Sequence, residues 1–160
     1  MKSSACPPAA RISCTTFAAS SLDARVLTAT AAPPANANGW NNTDVTVSLA
    51  AVDALSGVAT VSDPVTLAAE GAAQQATGTA TDAAGNQGTA TASVSIDKTA
   101  PTLSATLAPA PNPAGWNNTD VTVSFAATDA LSGIATVSPD ATVTDEGTAR
   151  EVQGTAPDLA

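Results

Sequence analysis

The chain of 160 residues contains no histidine, which excludes the groups that many catalytic sites need. Without histidine there is no Ser–His nucleophile, no thiol–imidazole pair and no histidine metal centre. The adjacent carboxylates Asp145 and Glu146 would point to opposite faces of a strand, so they do not form a glycosidase pair. The sequence therefore predicts a protein that is not an enzyme.

Large apolar side chains are also scarce. Hydrophobic residues make up 44% of the chain, but there are only two Phe, two Trp and no Tyr. A core built from Val, Leu, Ile and Ala buries little area per residue. At roughly 25 cal/mol for each Å² of buried apolar surface, we expect only marginal stability. No hydrophobic run is long enough to cross a bilayer, so we expect no membrane insertion.

Basic residues are also few. Five basic residues stand against fourteen acidic ones, which gives a net charge of −9 and an isoelectric point near 4.1. A chain of this charge repels phosphate backbones and anionic membranes. We therefore expect no nucleic-acid partner.

The two cysteines, Cys6 and Cys14, both lie in the first 23 residues, which are predicted to be a flexible head. Whether they pair with each other stays open. The head begins with Lys2, as a signal peptide does, but Pro7 and Pro8 interrupt any apolar run, and no export signal is recognisable. The remainder of the chain must fold without disulfides.

What the sequence does contain is a repeat. Gly39–Ala84 reappears without a gap, 76 positions later, as Gly115–Ala160, and 30 of the 46 aligned residues are identical. Such a period is typical of arrays of small modules. We place repeat 1 at residues 24–98 and repeat 2 at residues 99–160. No residues of repeat 2 correspond to Gly85–Lys98, so repeat 2 is predicted to lack its last strand.

Each repeat carries the alternation of half-buried strands. Val45, Val47 and Leu49 alternate with small or polar residues, and Ala76, Gly78 and Ala80 share a predicted inward face. Turn residues separate about seven short strands, and helical periodicity is absent. The sequence predicts an all-β protein of tandem immunoglobulin-like antiparallel β-sandwiches, the second lacking its last strand.

Single tryptophans and glycines recur at equivalent positions. Trp40 and Trp116 are interpreted as plugs at the end of each sandwich, with exposed platforms for sugars as the alternative. An inward Gly78 or Gly154 would leave space for the indole, and Trp40→Ala should then cost about 3–5 kcal/mol. Two further glycines, Gly57 and Gly133, are predicted to close structural turns.

Oxygen-bearing side chains next to turns and strand ends are the candidate ligands for calcium, the only cofactor that the sequence suggests. Their spacing matches no EF-hand loop. Asp and Asn also cap turns through their own side chains, which is the interpretation that we prefer. The candidates are Asp44, Asp53, Asp82, Asn86 and Asp97.

The succession of GWNNTDV, DALSG, GTATDAAGN and IDKTAP resembles bacterial immunoglobulin-like repeats of surface and secreted proteins. The resemblance implies a β-sandwich module in tandem, outside the cytoplasm or on the cell surface, without catalytic residues. The expected function is a structural spacer within a longer protein, with neighbouring repeats as partners. The alternative is an adhesive module that binds an extracellular glycan or protein, stiffened by calcium between repeats.

Overall fold

A computed structural model describes residues 26–160. The predicted head, residues 1–23, and the pairing of Cys6 with Cys14 lie outside the described residues. The chain divides after Lys98 into unit 1, described from Val26, and unit 2, Thr99–Leu159. All named elements are antiparallel β-strands, which confirms the all-β class. Among residues 26–160 there is no helix able to span a membrane.

The described part of unit 1, from Val26 onward, contains six strands in two sheets. One sheet has the order β1-β2-β4 and the other the order β3-β5-β6. The longest pairing joins β5 to β6, from Gln74 opposite Val94 to Thr81 opposite Gln87. The strands are β1 (Val26–Ala32), β2 (Val45–Val52), β3 (Val58–Val61), β4 (Val65–Leu67), β5 (Gly71–Asp82) and β6 (Gln87–Ile96).

The core of unit 1 is shared by its two sheets. Val45 and Val47 of β2 and Ile96 of β6 are its largest fully buried apolar side chains. The remaining members are small residues from both sheets: Ala29, Ala76, Ala90, Ala92 and Val94. Because two sheets bury their inner faces against each other, unit 1 is consistent with a β-sandwich. The inward faces predicted for β2 and β5 are the faces observed.

The described residues of unit 1 form six strands, against the expected count of about seven. The long connection between β1 and β2, residues 33–44, forms turns and one isolated bridge from Asn41 to Ile96 instead of a further strand. Pro33 and Pro34 open this connection. Proline has no N–H to donate to a sheet, which disfavours a strand there.

Unit 2 forms only one sheet. Its strands β7 (Thr102–Ala108), β8 (Val121–Thr128) and β9 (Ala141–Val143) have the order β7-β8-β9 and correspond to β1, β2 and β4. The segment 147–157, which corresponds to most of β5, contains no strand. In unit 1 that strand is paired along its length with β6, and no described residues of unit 2 correspond to β6. The difference from repeat 1 therefore extends beyond the predicted last strand.

The two units differ accordingly in their buried apolar side chains. Among the described residues, nine buried hydrophobic residues belong to unit 1, and Val123 alone belongs to unit 2. Leu107 and Trp116 of unit 2 are each 53% exposed. Since burial of apolar surface is the main stabilising contribution to folding, unit 1 should be the more stable unit.

Replacing Ile96 with alanine should destabilise unit 1 by about 2–5 kcal/mol, because it removes a fully buried side chain from the joint core. Urea unfolding followed by circular dichroism measures this difference. Val52→Ala is the control, since Val52 is 64% exposed and its loss should change stability by no more than about 0.5 kcal/mol. Equal effects of the two substitutions would contradict the assigned core.

Candidate functional site

The turn after β2 forms around the carboxylate of Asp53, and unit 2 contains the equivalent turn. Asp53 Oδ1 accepts hydrogen bonds from the backbone amides of Leu55, Ser56 and Gly57 at 2.9–3.2 Å. In unit 2, Asp129 Oδ1 accepts from Leu131 and Gly133 at 3.0 and 2.7 Å. The two glycines have φ values of 81° and 84°, a conformation that favours glycine. The structural role predicted for Gly57 and Gly133 is supported by this geometry.

The hairpin between β5 and β6 uses the side chains of Asp82 and Asn86. Asp82 Oδ1 accepts from the Asn86 amide at 2.7 Å, and Asp82 Oδ2 accepts from Asn86 Nδ2 at 2.8 Å. Asp82 is 3% exposed, and its carbonyl also accepts from the Gly85 amide at 3.1 Å. The buried carboxylate thus closes the turn, as the turn interpretation predicts.

The remaining two candidate ligands, Asp44 and Asp97, lie where β6 ends. Asp44 Oδ1 is 2.6 Å from Lys98 Nζ, which also donates to the carbonyl of Ala68 at 2.7 Å. Asp97 is 1% exposed, and its amide donates to the carbonyl of Asn41 at 2.9 Å. These contacts fasten the last residues of unit 1 to the loop before β2.

The calcium candidates of unit 1 lie in two different places and make different contacts. Asp53 and Asp82 border one small gap beside Val58 that is too small to hold a water molecule. Asp53 Oδ2 faces no hydrogen-bond partner among the described residues. Asp44 and Asp97 act at the end of β6, through Lys98 and Asn41. These hydrogen bonds support a role of the aspartates in capping turns and in holding the end of β6. Calcium binding stays an untested alternative.

The loop that leads to each tryptophan has the same conformation in both units. Asn36 Oδ1 accepts from the amides of Asn38 and Trp40, and Asn112 Oδ1 accepts from those of Ala114 and Trp116. Trp40 is half-buried, whereas Trp116 is 53% exposed. The predicted plug is therefore wrong for Trp116, which has no second sheet to cover it.

The predicted pairing of tryptophan with an inward glycine is also wrong. A Cβ added at Gly78 would lie 2.5 Å from Leu49 Cδ1, and one added at Gly154 would lie 2.5 Å from Phe125 Cδ1. The side chains that cover these glycines come from equivalent positions of β2 and β8. Glycine is needed at both places because a larger residue packs close against its backbone.

An open groove lies in unit 2. It has a volume of about 970 Å³ and lies between β7, β8 and β9 on one side and residues 144–153 on the other. We call it the unit 2 groove. Side chains that line it include Leu107, Trp116, Asp120, Val123, Glu146 and Arg150. Arg150 Nη2 donates to the carbonyl of Glu146.

Two residues that form part of these contacts were not predicted from the sequence. Lys98 fastens β6 in unit 1, and Asn36 caps the loop before Trp40. Lys98 is the only basic residue between positions 26 and 98, and that isolation was a usable signal. Asn36 recurs as Asn112 at the repeat distance, which also singles it out.

Comparison of the chain with protein-family models, curated proteins and solved structures found no match.

Gly78→Ala should destabilise unit 1 by about 1–3 kcal/mol, because the added methyl group overlaps Leu49. In a Leu49→Ala background the same substitution should cost distinctly less, since the overlapping atoms are gone. A double-mutant cycle measured by urea unfolding gives the coupling energy. Additive effects of the two substitutions would contradict this packing.

Calcium should leave the melting temperature of the protein unchanged, because the candidate oxygens already serve turns and an ion pair. Differential scanning calorimetry with millimolar calcium, compared with chelator-treated protein, measures this. Asp53→Asn is the informative variant if a shift appears. A rise of several degrees that this variant abolishes would establish a calcium site and contradict the turn interpretation.

Proposed function

We propose that the chain is a non-catalytic structural array of immunoglobulin-like repeats that spaces or presents another part of a bacterial surface or secreted protein. Three features of the described residues support this proposal: the strand order of unit 1, the path of the chain through it, and the use of its polar side chains. The path of the chain carries most weight.

The strand order of unit 1 supports an immunoglobulin-like assignment. In constant-type immunoglobulin domains one sheet contains strands A, B, E and D, and the other contains C, F and G. The orders β1-β2-β4 and β3-β5-β6 match A-B-E and C-F-G without a D strand. Unit 2 contains the counterpart of the first sheet.

The chain enters and leaves unit 1 at opposite ends. Asn41 Nδ2 donates to the carbonyl of Pro33 at 3.1 Å, and the Asn41 backbone bonds to Ser95 and Asp97. The end of β6 therefore lies beside the end of β1. Val26, where β1 begins, is a strand length away, about 20 Å at 3.3 Å per residue. Modules joined in series need this through-path, and it supports the spacer function.

The polar side chains of unit 1 are used to hold the backbone. Asp53, Asp82 and Asn86 fix turns, and Ser62 bonds to Thr79 between β5 and the residue that follows β3. In unit 2, Ser138 and Thr155 form the same contact. A shared set of residues that serves folding is the pattern expected of a structural repeat.

Adhesion is the second candidate function, and the exposure of Trp116 favours it. The indole is 53% exposed and lines the unit 2 groove, where an aromatic face is available for stacking. The partner would be an extracellular glycan or protein. Saturable glycan binding that Trp116→Ala removes, without loss of folding, would favour this function over the spacer.

Single-molecule stretching tests the spacer proposal directly. When the chain is pulled between reference domains, unit 1 should unfold in one discrete event that lengthens the chain by about 25 nm, at about 3.3–3.6 Å for each residue. Resistance is expected because the Asn41–Ser95 and Asn41–Asp97 hydrogen bonds hold the end of β6 to the connection that follows β1. Featureless extension of residues 26–98 at low force would contradict a load-bearing role.

A further inference from the structure

We propose that Asn38 converts spontaneously to aspartate and isoaspartate through a cyclic imide, and that Asn36 sets the rate of this reaction by holding its loop closed. Asn38 is followed by Gly39, and this is the only Asn-Gly pair in the chain. Glycine has no side chain to hinder an attack by its own backbone nitrogen. The modification goes beyond the proposed spacer function and does not depend on it.

The Asn-Gly pair lies on an exposed turn. Asn38 and Gly39 are both exposed, and the φ angle of Gly39 is 86°. A Cβ added at Gly39 would meet no atom within 4 Å among the described residues beyond its chain neighbours. No packed side chain therefore obstructs ring closure at this position, and water has access to the ring.

The conformation of this loop does not require the carboxamide of Asn38. In unit 2 the equivalent pair is Ala114-Gly115, and Asn112 Oδ1 accepts from the amides of Ala114 and Trp116 at 3.0 Å each. Gly115 has φ 83° and donates to the carbonyl of Asn112 at 2.8 Å. Since the same loop forms with alanine, an alanine variant of Asn38 should keep the fold and remove the reaction.

The reaction consumes only water. The Gly39 amide loses its proton to hydroxide, and its nitrogen attacks Cγ of Asn38 to form a five-membered cyclic imide. The bond from Cγ to Nδ2 breaks, and the leaving nitrogen takes a proton from water and departs as ammonia. A further water molecule opens the ring. Cleavage between the Gly39 nitrogen and Cγ gives aspartate, whereas cleavage between that nitrogen and the Asn38 carbonyl carbon gives isoaspartate.

Hydrogen bonds to Asn36 protect the nitrogen that must react. The Gly39 amide donates to the carbonyl of Asn36 at 3.0 Å, so its proton is held while the turn is closed. Asn36 Oδ1 accepts from the amides of Asn38 and Trp40 at 2.9 and 3.1 Å and keeps the turn closed. Exposed loops open locally at low free-energy cost, and the reaction proceeds from that open state. Asn36 is thus a positioning residue for the reaction.

Isoaspartate would alter the anchorage of β6. It inserts one backbone atom between Asn36 and Trp40, whose carbonyl accepts from the Asn36 amide at 2.8 Å. Asn41 follows directly, and its backbone bonds to that of Ser95 and Asp97 at 3.0 and 2.9 Å. Both products also add one negative charge to a chain of net charge −9. Unit 1 therefore contains a site at which ageing loosens the end of β6.

Incubation of the full 160-residue protein in mildly alkaline buffer made with heavy-oxygen water tests the proposal. Peptide mapping by mass spectrometry should show that Asn38 loses ammonia and gains one heavy oxygen atom. Fragmentation that distinguishes isoaspartate should detect it beside aspartate. Asn42 and Asn86, which precede Thr43 and Gln87, should convert distinctly more slowly.

Variants of the loop separate the reacting residue from the residue that controls it. Asn36→Ala should react about five- to thirtyfold faster, because two hydrogen bonds that close the turn are lost. Asn36→Asp keeps the acceptor oxygen and should react at nearly the parent rate. Asn38→Ala should show no conversion in this loop. Ala114→Asn, which creates the same pair in the equivalent loop of unit 2, should introduce a second site of conversion.

The parent protein in urea gives the rate of the open chain. The folded parent should react more slowly than the protein in urea, and circular dichroism shows whether Asn36→Ala is still folded when its rate is measured. In the converted protein the Asp97 amide should exchange hydrogen faster, because its acceptor Asn41 lies beside the altered loop. Unchanged exchange at Asp97 would contradict the loosening of β6.

Any of three further results contradicts the proposal. The first is that Asn38 stays unconverted in the folded protein while Asn42 or Asn86 reacts. The second is aspartate without isoaspartate, which indicates direct hydrolysis of the side chain instead of a cyclic imide. The third is one rate shared by the folded parent, Asn36→Ala and the protein in urea, which would remove Asn36 from control of the reaction.

Discussion

The pairing of β5 with β6 is the interaction on which the structure of unit 1 depends. It joins the two longest strands and brings Ala76, Val94 and Ile96 onto one face, opposite Val45 and Val47 of β2. Without that second face the first sheet has nothing to bury against. Unit 2 illustrates the consequence, because its sheet β7-β8-β9 forms while the β5-like segment carries no strand and only Val123 is buried among its described hydrophobic residues.

Much of the identity between the repeats lies in the backbone scaffold. Three side chains make the same hydrogen bonds in both units. They are the asparagine four residues before each tryptophan, the aspartate that caps each DALSG turn, and the serine that bonds to β5 or to its counterpart. The residue that covers the inward glycine differs, since Leu49 performs this task in unit 1 and Phe125 in unit 2. The turns and caps thus keep the same geometry although the covering side chain changes.

The sequence was informative where a local pattern determines the structure. Period-two alternation identifies the buried faces of β2 and β5, and Gly57 and Gly133 mark two of the turns. It failed where the outcome depends on which residues meet across the two sheets. Nothing local indicates that Leu49, and not Trp40, covers Gly78, or that Lys98 reaches Asp44 across 54 positions. The absence of a strand in segment 147–157 is likewise a tertiary effect, because its residues retain the alternation of β5 but no described residues pair with them as β6 pairs with β5.

The central claim is that the pairing of β5 with β6 is what allows the second sheet of this repeat to form. Its most direct test is to append the sequence of Gly85–Lys98 after Ala160 and to compare the unfolding of the two proteins by calorimetry and hydrogen exchange. The account predicts a second cooperative unfolding transition and slow exchange in residues 147–156. Unchanged calorimetric traces, with residues 147–156 still in fast exchange, would contradict it.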